Sequence, residues 1–510
     1  MLIRRYWKWL ALALTLIALL ACSYFFIKRD LNTCMGVEMK SEEEITSLYE
    51  KINYDYSGEL LFNNEPCAIE IRKQTIYISQ NIDEYTTPCD LLGKLSVSLP
   101  GYSLFFIRDA AFDDLWTTVR SGASVRLAVV NTDNKYVEYN VLFTTLPLLR
   151  LDGEFSHLDE DDREINSGSI CLWNPNDPTS ESYSVSTSLL EWRVRGNTSA
   201  LLPKKPYKLS LKDKKGENRN YEFFDLGADD DWILNPLNTD DIFLREKLAM
   251  DLWNDSFAGE SYNTVMSEGE YVEIIVNGSY GGIYLLQRRV DAKLLGLDTD
   301  DILLKGTYAT VADDPLVAYE ITSSPLESEE TFKLLESLGL PTGADIMNID
   351  NFIDVSLMIQ LGSMADNKGY KNTFYVIERD GDSYSLKLAM WDTDLSFASN
   401  YTNWFNFDYD GKLAGTFNRC EYADMLEKHP QLNRLMAERW FELRESILTT
   451  ENMFRYLDSD YAVLEPSGAL QRDLKVWGIR HGGLDTVEVL KKFITERLTV
   501  LDAYYSEYLK

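Results

Sequence analysis

At 510 residues the chain exceeds what one hydrophobic core usually organises, which predicts two or three domains. Its composition, 45% hydrophobic and 12% aromatic, excludes a disordered majority. Fifty basic against 82 acidic side chains leave a net charge of -32, which repels phosphate backbones and argues against nucleic acid as a partner.

The amino terminus predicts a membrane segment within residues 1–30. Arg4, Arg5 and Lys8 precede an uncharged stretch from Trp9 to Ile27, long enough to cross a bilayer as a helix with its positive flank inside. Two readings of this segment stand. Leu19-Leu20-Ala21-Cys22 is similar to a bacterial lipobox, whereas the apolar run continuing from Ser23 to Ile27 suits an uncleaved anchor. Both place the body of the chain outside the cytoplasm, at a bacterial cell surface.

The six cysteines, at 22, 34, 67, 89, 171 and 420, contain no C-x-x-C pair and predict no cysteine-based metal site. Cys67 and Cys89 flank two expected strands and are open to either a disulfide or two free thiols. His157, His429 and His481 are too scattered for a zinc hydrolase centre. The acidic runs Asp159 to Asp162 and Asp229 to Asp231 read as solvated loops.

Residues 31–55 read as a polar connector with a short helical stretch, and 56–145 as a β-rich accessory domain. The β-branched or aromatic runs Ser57–Phe62, Ala68–Ile71, Thr75–Ser79, Ser103–Ile107, Val125–Val130 and Tyr136–Phe143 are separated by turn residues. They predict a small β-sandwich-like domain holding one amphipathic helix, Ala111–Arg120, and suited to display or partner contact.

From 146 to 510 strands and helices follow in mixed order, an α+β pattern. Leu189–Arg195 leads into the small-residue turn Gly196-Asn197-Thr198-Ser199, and Lys204–Leu211 then alternates like a strand. Glycine permits close backbone approach, hydroxyl and amide groups bond phosphate oxygens, and a lysine on the next strand can neutralise them. Arg195, Asn197, Ser199, Lys205 and Lys208 are therefore candidate nucleotide contacts. Strand alternation does not by itself tell whether Lys205 or Lys208 faces the phosphates, and Lys208 is the preferred candidate. A surface Gly-Asn turn with solvated lysines is the plain alternative.

An amphipathic helix is expected over Thr239–Asn254, then a hairpin closed by Asn277-Gly278. Gly281 and Gly282 lack the further residues of a phosphate loop. Apolar positions from Phe352 to Leu361 predict a buried helix ended by Gly362. A polar loop, Asp366-Asn367-Lys368-Gly369-Tyr370-Lys371-Asn372, follows, then a hairpin that ends at Trp391-Asp392-Thr393-Asp394. Helix, loop with Asp and downstream Asn, hairpin and Asp is the order in which protein kinases supply a catalytic aspartate and two metal-binding side chains. Mg²⁺ prefers such hard oxygen ligands and bridges nucleotide phosphates. Asp366 is thus the candidate catalytic residue, with Asn372, Asp392 and Asp394 at the metal. On the other reading Asp366 caps a turn and Asp392 and Asp394 are a solvated strand end.

Three further segments carry a resemblance. Arg195-Gly196-Asn197-Thr198-Ser199 with Pro203–Leu209, Val276-Asn277-Gly278-Ser279-Tyr280-Gly281-Gly282-Ile283-Tyr284, and Trp391-Asp392-Thr393-Asp394 are similar, in order, to motifs of the CotH family, named for a spore-coat protein. The resemblance covers 146–510. It implies an atypical, two-lobed protein-kinase-like fold that uses ATP with Mg²⁺ or Mn²⁺ and phosphorylates Ser or Thr of coat or cell-surface proteins. It also implies that Asp366 is the catalytic aspartate and Asp392 a metal ligand. Gln287-Arg288-Arg289 stands where many relatives carry an acidic residue, which leaves the partner of the nucleotide lysine unassigned. Two rival classes are an inactive kinase-like surface scaffold and a carbohydrate-active protein. The second is disfavoured because Asp392 and Asp394 are too close along the chain to flank a glycosidic bond.

Overall fold

The computed structural model describes residues 33–34, 37–53, 58–80, 91–153, 165–174, 184–257, 262, 264–307, 315–367, 369–397, 419–478 and 486–510. The expected anchor with Cys22, and also Cys89, His157, His481 and the run Asp159 to Asp162, lie outside the described residues. Among the described residues no helix is long and apolar enough to cross a membrane. Cys67 is a buried free thiol.

The first region is built on an eight-stranded sheet. Lys135–Thr144 runs antiparallel to Val125–Val130 and parallel to Thr75–Ser79, and Ser103–Arg108 pairs in parallel with Val37–Ser41. One face is covered by the helix Glu42–Leu48, whose Ile45 packs on Phe105, Ile107, Ala128 and Val130. Ser41 and Glu44 start this helix with reciprocal side-chain to backbone bonds. The other face carries the helix Leu115–Arg120 and a small three-stranded sheet.

Three expectations change here. Residues 37–51, read as a connector, supply strands and a capped helix to the sheet. The region is a mixed sheet with helices on both faces, not an all-β sandwich, because alternation reports that a strand is half-buried but not what covers it. The helix expected over Ala111–Arg120 is split in two, with Asp109 and Asp114 capping successive short turns.

The chain passes from Thr144 almost directly into a closed seven-stranded barrel. Its strands are Leu148–Gly153, Asn166–Asn174, Ser184–Val194, Tyr207–Lys212, Asp231–Asn235, Gly269–Val276 and Ser279–Arg288. Leu148–Leu151 closes it by pairing in parallel with Glu273–Val276. Alternation fills the interior with Leu149, Leu151, Trp192, Leu209, Trp232 and Tyr284. On the outside, Leu148, Trp173, Ile275 and Tyr280 join the same apolar cluster as Phe143 and Tyr77 of the first sheet. Tyr77 stacks on Tyr280 with centroids 5.3 Å apart, and Trp173 Nε1 donates to the Pro66 carbonyl at 2.9 Å.

The remaining chain forms the largest core. A four-stranded sheet of Tyr319–Ser323, Ile302–Gly306, Thr373–Asp380 and Ser383–Met390 packs with the helices Arg245–Phe257, Ile349–Gly362, Leu432–Glu445, Thr450–Leu464 and Val487–Ser506. The α+β pattern read from the sequence is the observed one. The helix expected from Thr239 begins only at Arg245, because Asp240 folds back to accept from the Ile242 and Arg245 amides at 3.1 and 2.7 Å. Asp229 to Asp231 is no solvated loop: Asp229 pairs with Arg288 and Lys293, and Asp231 with Lys208 and Arg289.

Candidate active site

The helix Ile349–Gly362 is apolar around most of its girth and is buried from Asn351 onward. Ser363 ends it in the left-handed region at φ 52°, and the chain turns through one 3₁₀ turn, Ala365–Asn367. Asn367 is fully buried, and its Nδ2 donates to the Asn372 carbonyl at 3.0 Å and to the Trp391 carbonyl at 2.8 Å. That one amide joins the loop to both ends of the hairpin. Thr373 pairs with Met390, and the Trp391 amide donates to the Asn372 carbonyl at 3.1 Å, so Asn372 and Asp392 emerge side by side. Both have left-handed backbones, at φ 55° and 57°, which Asn and Asp tolerate better than most residues.

Asp366, Asn372 and Asp392 are thereby brought together. Asn372 Nδ2 lies 3.3 Å from Asp366 Oδ2 and 3.5 Å from the Asp392 carbonyl, and Lys371 Nζ pairs with Asp366 at 2.6 Å. Asp394 accepts from Thr239 Oγ1 at 2.8 Å. Arg195 reaches the same place from the barrel, its guanidinium 5.3 Å from the centroid of the Trp391 ring.

The other barrel candidates stand differently. Lys205 donates to the Ala200 carbonyl at 2.7 Å, and Lys208, the lysine expected at the phosphates, instead pairs with Asp231 at 2.8 Å on the outer face of its strand. Asn197 is exposed. Gly196, at φ 91°, gives Ser199 Oγ room that a β-carbon would fill at 2.2 Å.

The CotH kinase protein family matches this chain over residues 192–330 and 344–501. The chain belongs to the CotH kinase family. A search of curated proteins finds no match. The family span of this CotH chain opens inside the barrel strand Ser184–Val194 and takes in every site residue named above, while the first sheet lies outside it.

The CotH site holds one acid that sequence reasoning missed. Glu246, on the second residue of the helix Arg245–Phe257, accepts from Asn235 Nδ2 at 2.9 Å, and its Oε1 is buried without a hydrogen-bond partner. Burial, with the charges of Asp392 and Asp394, pushes its carboxyl well above the usual range. Burial raises Asp392, opposed by Arg195 and Lys371, and burial with the Asp392 charge pushes Asp394 up to about 8. Burial lowers Arg195, opposed by Asp392 and Glu246. A concentration of carboxylates this expensive to ionise favours the arrival of a cation. The acid facing Arg195 thus comes from the helix Arg245–Phe257 rather than from the hairpin. Its only sequence signal was an amphipathic pattern, which does not tell an interior carboxylate from a surface one.

Proposed function

We propose that this chain is an ATP-dependent protein kinase of the atypical two-lobed kind, the barrel forming one lobe and the sheet-and-helix region the other. The convergence of Asp366, Asn372 and Asp392 through Asn367 and the hairpin carries the reading. Asp392, the Asn372 amide oxygen and the adjacent Asp394 are the hard donors that Mg²⁺ or Mn²⁺ takes. The orphaned Glu246 Oε1 marks the same neighbourhood as short of positive charge. Among the described residues no three His, Cys, Asp or Glu side chains are gathered closely enough to hold an ion by themselves. A cation there would have to complete its shell with phosphate oxygens and water. Bound there, it would draw charge from the transferring phosphoryl group.

Asp366 takes the proton of a Ser or Thr hydroxyl as that oxygen bonds to the γ-phosphorus of ATP. The bond from the γ-phosphorus to the β,γ-bridging oxygen breaks and ADP leaves. Lys371 holds Asp366 in place and offsets its charge. Arg195, fixed between Trp391 and the acids, offers a planar guanidinium to phosphate oxygens. The basic residues ahead of the apolar stretch 9–27 support a membrane-anchored, extracytoplasmic protein, and with it acceptors on coat or cell-surface proteins.

The test is incubation of the chain with γ-labelled ATP and Mg²⁺ or Mn²⁺. Label should appear on protein and fall at least about a hundredfold in Asp366→Ala and Asp392→Ala. Label that survives both substitutions rejects the assignment.

A further inference from the structure

Lys204 is the lysine of the first motif that the nucleotide reading does not use, and it is only 2% exposed. Its Nζ donates to Asp473 Oδ2 at 2.7 Å and to the Ile283 carbonyl at 2.5 Å, between the rings of Phe243 and Tyr284. Asp473, on the helix Ala469–Trp477, is fully buried and also accepts from the Ile283 amide at 2.8 Å. This approach needs Gly282: at φ 95°, a β-carbon there would sit 2.2 Å from Asp473 Oδ2. Gly282 of the second motif and the lysine of the first thus meet at one carboxylate, Asp473. The pair is too deep to touch a nucleotide, so its use lies in what it holds.

The main chain of Lys204 carries the connection onward. Its carbonyl accepts from Asn238 Nδ2 at 2.8 Å, and Asn238 is itself 8% exposed. The next residue is Thr239, whose hydroxyl donates to Asp394 at 2.8 Å. From the helix Ala469–Trp477 to the site there is therefore one run: Asp473, Lys204, Asn238, Thr239, Asp394. We propose that Lys204 and Asp473 are positioning residues for Asp394, acting through Asn238 and Thr239 to fix the carboxylate that stands beside Asp392. The inference rests on the kinase reading of that site for its consequence in turnover, but not for its physical content. A buried pair of opposite charges contributes little net stability when replaced by apolar groups of like volume, and its value is a single well-defined geometry. Displacing a reacting group by about an ångström costs on the order of 10²-fold in rate.

Asp473→Asn alone strands a buried lysine and endangers folding, so the informative variants are Asn238→Ala and the paired Lys204→Met/Asp473→Leu, each in the full chain. Hydrogen exchange across residues 391–397 reads the geometry without any reaction. Exchange there should quicken at least about tenfold in both variants while the strand Thr373–Asp380 keeps its protection. In the labelled-ATP assay both should lower kcat by about tenfold and leave KM for ATP within about twofold. Either loss combined with Thr239→Val should fall short of the product of the two, as expected for members of one network. Unchanged exchange at 391–397 in a folded Asn238→Ala protein overturns the inference, as do losses that multiply. A wild-type chain that transfers no phosphate while exchange still couples Asn238 to 391–397 rejects the kinase reading and leaves the positioning run standing.

Discussion

The two walls of the site are assembled by different rules. The hairpin wall takes Asp366, Asn372 and Asp392 from one stretch of chain, joined by a strand pairing and one buried amide. The barrel wall takes Arg195 from just past the strand Ser184–Val194, and Asn235, Thr239 and Glu246 from a later segment that reaches it only because the barrel closes and the helix Arg245–Phe257 packs beneath it. A wall made of neighbours keeps its geometry through local bonds, while a wall made of distant segments depends on the whole fold.

The sharpest way to break the comparison is at the hairpin wall. Asp392→Asn should lower phosphotransfer by about 10³-fold, yet raise the melting temperature measured without divalent cation, because it removes a charge that Glu246 and Asp394 both resist. A fall in both activity and melting temperature would make Asp392 a structural residue. On the barrel wall, Arg195→Met should cost about 10²-fold in kcat/KM while preserving the stack on Trp391 through its apolar stem, which Trp fluorescence would report.

A third prediction uses the helix that serves the barrel wall. Glu246 faces the acids of the site, whereas Lys247, the next residue, pairs with Asp251 at 3.2 Å in a group that includes Glu270 and Asp460. Asp460 is pushed up to about 7 by burial, against the pull of Lys247, and its Oδ2 has no hydrogen-bond partner. An acid whose folded value is raised keeps a proton that the unfolded chain has already lost. Its contribution to stability therefore falls as pH rises from its ordinary value of 3.8 to about 7, and stays low above that. Asp460→Asn should remove this slope and gain on the order of 2 kcal/mol at pH 8, with little change near pH 4, measured by denaturant unfolding. Equal gains at both values would place the effect in packing instead. The smallest effect belongs to Lys208→Met, which should change kcat/KM by less than about threefold, since Lys208 answers Asp231 rather than the site. A hundredfold loss there would return Lys208 to the phosphates.

What could be read from the sequence follows the same division. The buried helix, the loop and the hairpin were legible because each is local: apolar spacing gives the helix, Asp380-Gly381 the turn, and pairing then fixes where Asn372 and Asp392 must emerge. Asn367 was overlooked within that same loop, since a polar residue between Asp366 and Asn372 gives no sign that it will be buried and bonded to two carbonyls. The choice between Lys205 and Lys208 was not legible, because facing is decided by the neighbouring strand and by Asp231 more than twenty residues away. The accessory sheet shows a milder form of this. Its strands stood out by alternation, but the parallel pairings that bring in Val37–Ser41 and Thr75–Ser79 depend on crossovers that leave no periodic trace.

The apolar cluster shared by the first sheet and the outside of the barrel sets a condition on how the protein can be handled. Cutting the chain ahead of Leu148 to isolate the family-matched portion would lay bare Trp173, Ile275 and Tyr280 together, and would leave Arg472 without the Phe143 carbonyl it bonds at 3.4 Å. A fragment so trimmed would be sticky, and its poor yield would say nothing about catalysis. The same cluster makes the accessory sheet and the barrel a single cooperative unit, so the intact protein should lose both in one transition rather than shed the smaller part first.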